Sequence, residues 1–75
     1  GGDGAAMEEC WHYAYTQWCK HQQPVPEPKL IAFLQERVPV HNIDRIIDVM
    51  TRAQLLTKQF TATGGIGYVP KARKA

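Results

Sequence analysis

Seventy-five residues, 44% of them apolar and with a formal net charge of +2, make one small domain, because a chain this short buries only about 60% of its unfolded surface. A single core must absorb most of the apolar residues, which leaves little room for a buried catalytic cleft. The modest charge neither demands nor excludes an anionic partner, and no apolar run approaches the ~18 residues of a membrane span or the pattern of a signal peptide.

The opening Gly1-Gly2-Asp3-Gly4-Ala5-Ala6 has no periodicity, reads as a cloning remnant and is set aside from the fold. Met7 is then either a native start or a junction residue, the second making this a domain of a larger protein. From Met7 to Gln22 the large residues Met7, Trp11, Ala14, Tyr15 and Trp18 recur at steps of three and four, which predicts a helix with one apolar stripe. Glu8 and Glu9 suit the dipole at its start, Lys20 and His21 at its end. Tyr13 lies off the stripe and is expected at the surface. The aromatic stripe is expected to pack in the core rather than to stack single-stranded bases.

Cys10 and Cys19 stand nine residues apart on this helix, or about 13 Å at ~1.5 Å per residue. That separation excludes a disulfide within the domain, and free thiols suit a reducing, intracellular setting. Cys10-Trp11-His12 and Cys19-Lys20-His21 repeat a Cys-x-His pattern. Residues two apart on a helix point away from each other, so no metal is expected. With no serine in the chain, no phosphate loop and no nucleophile–base pair with an orienting partner, neither an enzyme, a cofactor nor a small-molecule substrate is expected.

Pro24-Val25-Pro26-Glu27-Pro28 stops the first helix and forms a stiff connector with room for a short extended piece. Pro28 suits the first turn of a second helix, Lys29 to Val38, whose apolar face is Leu30, Phe33, Leu34 and Val38. Pro39 closes it. Asn42 is expected to cap a third helix in which Ile43, Ile46, Ile47, Met50 and Gln54 share a stripe and which ends near Leu55.

Beyond it, Leu56–Thr61 and Ile66–Val69 are rich in β formers. A two-residue turn at Gly64-Gly65 predicts a hairpin with Phe60 facing Val69 and Thr61 facing Tyr68. Pro70 ends the second strand, and Lys71 to Ala75 is a basic tail. The expected organisation is therefore a remnant at 1–6, a domain at 7–70 and a tail at 71–75.

Helix, proline-rich connector, helix, short turn, helix, hairpin: this order resembles the winged-helix superfamily. It implies an α+β fold, a three-helix helix-turn-helix core followed by a β-hairpin wing. A plain three-helix bundle with an unstructured tail is the competing fold. The resemblance rests on element order and the Gly64-Gly65 wing tip rather than on a motif.

It implies duplex DNA binding, with the third helix toward a groove and the wing on the backbone. Residues 1–39 carry three basic and five acidic side chains, residues 40–75 six basic and two acidic, which points the same way. The candidate nucleic-acid-binding residues are His41, Asn42, Arg45 and Arg52 on and before the third helix, and Lys58, Lys71, Arg73 and Lys74 on wing and tail. Asp44 and Asp48 share the helix face, and Asp48 is placed to pair with Arg52 and Arg45. That neutral face keeps open a second reading, a protein-interaction or dimerisation domain without direct DNA contact.

Overall fold

The computed structural model describes residues 2–72. Their elements are helix α1 (Gly2–His21), strand β1 (Val25–Pro26), helix α2 (Glu27–Gln35), a 3-10 turn (Val40–Asn42), helix α3 (Ile43–Arg52), and strands β2 (Leu56–Phe60) and β3 (Ile66–Pro70). This is the expected α+β arrangement, a three-helix core followed by a β-hairpin. The sheet has a third member. The proline connector holds Val25 and Pro26 extended, and β1 pairs antiparallel with β3 in the order β1-β3-β2. Proline is tolerated on such an edge because its missing N–H takes nothing from a central ladder.

Helix α1 begins at Gly2, not Met7, so residues 2–6 of the segment set aside form its start, with Asp3 rather than Glu8 and Glu9 in the first turn. Its core face is Ala6, Cys10, Trp11 and Ala14. The expected aromatic stripe is only partly inward: Trp11 is 5% exposed but Tyr15 40%, and Trp18 is half-buried. Three small residues on the inner face let the helix lie close to its neighbours, and the rings turn toward its flank. There Tyr15 lies flat on Trp11, with ring centroids 5.1 Å apart and planes 12° apart. Tyr13, expected at the surface, stacks instead on Phe33 of α2 at 4.6 Å.

Pro28 sits in the first turn of α2. The helix ends at Gln35, short of the expected Val38, but the Val38 N–H still bonds the Leu34 carbonyl at 3.0 Å and its side chain is buried. In α3 the stripe of Ile43, Ile46, Ile47 and Met50 is buried as expected. Asn42 does not cap it: its backbone is already helical (φ −94°, ψ −11°), as the last residue of the 3-10 turn, and its side chain makes no capping bond. Gln54 is not on the core stripe either. It is exposed and adopts φ +63°. The N–H groups of Gln54 and Leu55 return to Thr51 and Met50 at 3.0 and 2.8 Å, a Schellman closure that ends the helix at Arg52, short of Leu55, and aims the chain into β2.

The hairpin forms in a different register from the one expected. Phe60 faces Ile66, Lys58 faces Tyr68, Thr57 faces Val69 and Leu56 faces Pro70. Its loop has three residues, not two. Gly64 N–H bonds the Thr61 carbonyl at 2.9 Å and Thr61 N–H bonds the Gly65 carbonyl at 2.8 Å, while Gly64 takes φ +90°. A type I turn closed by a left-handed glycine needs only one of the two glycines at positive φ. Lys71, expected in a free tail, is tied down: its N–H bonds the Leu55 carbonyl at 2.9 Å, and Trp11 Nε1–H donates to its carbonyl at 3.1 Å.

Tyr68 of β3 is 2% exposed, and its hydroxyl donates to Glu27 Oε2 at 2.7 Å. Next to it, Gly67 is crowded: a Cβ there would lie 2.8 Å from the Thr61 methyl and 2.9 Å from Pro24 Cβ. Gly67→Ala is therefore expected to destabilise the fold by about 1–3 kcal/mol through overpacking. Urea unfolding checks it, and an unchanged midpoint contradicts the close approach of wing and connector.

Burial pushes the Cys10 thiol from 9.0 up to about 11, the Arg37 charge opposing. Burial, with the Glu27 carboxylate second, also raises the Tyr68 phenol above its ordinary 10.0. Both groups hold their protons more tightly in the folded chain. The Cys10 contribution to stability is thus complete below pH 9 and is lost as pH climbs toward about 11, while that of Tyr68 is complete below pH 10 and goes on falling above that window. Thermal unfolding followed across that window should show a falling Tm, and a flat profile contradicts these assignments.

Candidate nucleic-acid interface

The outward face of α3 follows from its inward one. With four apolar residues turned to the core, Asp44, Arg45, Asp48 and Arg52 are exposed. Both arginines are held by carboxylates. Arg52 Nε lies 3.2 Å from Asp48 Oδ2, the i,i+4 pair expected. Arg45 does not pair with Asp48 as anticipated: its Nη2 donates to Asp3 Oδ2 at 2.6 Å. Asp3 reaches it because α1 begins early. His41 is exposed and Asn42 half-buried in the 3-10 turn. The candidates thus divide between the two ends of α3, with His41, Asn42 and Arg45 at its start and Arg52 at its close.

The other end is different in character. Thr51 and Gln54 at the close of α3, Thr57 and Lys58 on β2, and Val69, Pro70 and Lys71 at the end of β3 line one shallow groove. Two lysines stand in it and no carboxylate does. More broadly, no acidic residue follows Asp48 in the sequence, while Arg52, Lys58, Lys71, Arg73 and Lys74 do. The structure brings Lys58 and Lys71 to the same groove, whereas Arg73 and Lys74 lie outside the described residues.

Strand β2 is the longer of the two edge strands of the sheet, exposed from Thr57 to Phe60. Alternate residues share a face, so Leu56, Lys58 and Phe60 form one row. Leu56 is 1% exposed and Phe60 79%, and the row leaves the core as it approaches the loop.

Sequence reasoning missed Asp3 as the partner of Arg45 and Phe60 as a surface residue. Nothing local signals the first. The second was legible only in that Phe60 is the last strand residue before the turn.

The Cys-x-His repeats do not converge. Cys10 is buried and Cys19 exposed, His12 Nε2 lies 3.6 Å from Glu8 Oε1, and His21 is exposed. Among the described residues no cluster of three or more His, Cys, Asp or Glu side chains stands ready to hold a metal ion, and no helix is long and apolar enough to cross a membrane. Neither a family model, a curated protein nor a solved structure matches the chain.

The two thiols should separate cleanly in a test of this geometry. Cys10, buried and with its thiol pushed up to about 11, is expected to resist an aromatic disulfide reagent in the native protein, since the thiolate is the reacting form. Cys19 is expected to react at once. Two equally fast thiols without denaturant contradict the placement of Cys10.

Proposed function

We propose that the chain binds duplex DNA, as an accessory domain of a larger intracellular protein. The wing and the groove beneath α3 lie on the phosphate backbone, and α3 is turned toward the adjoining groove of the duplex. The observation that carries this reading is the convergence of Lys58 and Lys71 on one acid-free groove. Cations without neighbouring carboxylates keep their field for an external anion, and each neutralised phosphate releases counterions. Arg73 and Lys74 would extend the same contact along the backbone. Arg45 and Arg52 enter second, since each exchanges a carboxylate for a phosphate or a base edge, and His41 and Asn42 flank them.

A second reading, a protein partner or a second copy docked on α3, draws support from Val40, 69% exposed, and Val49, 40% exposed. Val49 lies one turn from each of the two paired arginines on α3. On that reading, salt has little effect and Val49→Glu abolishes association.

The test is duplex binding by fluorescence anisotropy across a salt series. Lys58→Ala and Lys71→Ala are each expected to weaken binding and to flatten the dependence of log affinity on log salt by about 0.9. Binding that ignores salt and both substitutions, or no binding in low salt, overturns the DNA reading.

A further inference from the structure

Phe60 is unlike the rest of the apolar residues on the sheet. It is 79% exposed, although its row-mate Leu56 is buried and Ile66 opposite it packs against the core. A large ring left in water forgoes most of the stabilisation that burial gives, so its place at the wing tip asks for an explanation beyond the fold.

The loop that presents it is closed by several bonds. Beside the two backbone bonds of the turn, Gly65 N–H donates to Thr61 Oγ1 at 3.2 Å, and the hydroxyls of Thr61 and Thr63 lie 3.1 Å apart. Thr61 also packs its methyl over Gly67, against the connector. The residue after Phe60 is thus fixed at both its backbone and its side chain, so the ring is carried on a stiff support. Lys58 stands two residues behind it on the same face, about 7 Å away at the rise of a strand.

Resting on the DNA reading above, we propose that Phe60 is a stacking wedge: its ring enters the duplex between adjacent bases while Lys58 holds the neighbouring phosphate. The chemistry fits one kind of occupant. A bare aromatic face gains most from a flat π-surface, and a base offers one at every step. The surrounding tip, Gln59 to Gly65, carries neither acid nor base, so nothing repels the strand as the ring approaches. Apolar side chains inserted in this way partly unstack a step, which costs least at a flexible pyrimidine–purine step. The wedge thus gives the domain a preference for deformable DNA without hydrogen bonds to base edges.

The experiment uses the full chain and an alternating TA duplex with 2-aminopurine in place of one adenine, over a salt series. The parent protein is expected to raise the 2-aminopurine fluorescence on binding, as the base unstacks. Phe60→Ala is expected to lose that rise and to bind about 5- to 100-fold more weakly with the salt dependence unchanged. Lys58→Ala should flatten the salt dependence instead. Because the ring is exposed, Phe60→Ala should unfold with the parent, and Phe60→Leu, which keeps bulk without the π-face, should recover only part of the signal. If Phe60→Ala binds as tightly with the same fluorescence, the wedge is wrong while the DNA reading survives. If its loss of affinity comes with a flatter salt dependence, the ring only steadies the lysines, and the wedge is equally wrong. If the parent protein does not bind the duplex, both fall together.

Discussion

The structure depends on Tyr68 being buried beside a residue with no side chain. β3 is the middle strand, and at Tyr68 it has Val25 on one side and Lys58 on the other. A buried phenol must find a hydrogen-bond partner. The one it has, Glu27, stands in the first turn of α2. One side chain therefore joins the connector, the second helix and the wing. Gly67 completes the arrangement by letting Pro24 and Thr61 close over the strand. The wing's direction relative to the helices is fixed here, and with it the positions of Lys58, Phe60 and Lys71. A hairpin alone would be marginal in water. Docked on β1 and the core, it can serve as a rigid arm.

Legibility in the sequence followed the strength of the pattern. Helix α3 was plain because its inner face is branched or long apolar residues and its outer face is charged. Helix α1 misled because two stripes overlap on it. The conspicuous one runs through Trp11, Tyr15 and Trp18. The one that packs runs through Ala6, Cys10 and Ala14, whose value lies in small size and close approach, not in hydrophobicity. The same weighting hid the first turn of α1, where Gly4 and Ala5 read as part of a remnant without periodicity. The hairpin was legible as a hairpin but not in its register. Ala62-Thr63-Gly64-Gly65 is compatible with either loop, and the outcome turned on the bonds of Thr61. Because side chains alternate, an odd slip exchanges the faces: it puts Tyr68 in register with Lys58 and on the side of Leu56, and leaves Phe60 at the rim.

Of the candidate site, the charges were legible and their pairing was not. Asp48 and Arg52 are one helical turn apart, a relation that sequence carries directly. Asp3 and Arg45 are separated by 42 positions, and only the packing of α1 across the start of α3 brings them together. The groove of Lys58 and Lys71 has the same origin: 13 residues apart in the chain, they meet because β2 and β3 run antiparallel and the chain beyond Pro70 is tied to Leu55 and Trp11.

This pairing decides which part of the surface leads. Exposed ion pairs are worth only about 0–1 kcal/mol, so Asp3 and Asp48 do not lock their arginines away. They do cancel the arginines' field at a distance, and at physiological salt anything beyond ~8 Å is screened further. An approaching polyanion therefore senses the uncompensated cations of the wing before those of the helix. On the proposed DNA reading α3 is then a second contact, made once the wing has set the distance, when a phosphate can displace a carboxylate at little cost. A face that is neutral in the free protein and cationic only after exchange discourages binding to any anion that cannot reach both ends of α3 at once. The helix-face carboxylates are then no argument against nucleic acid. On that reading they set how much surface a ligand must engage before the arginines take part.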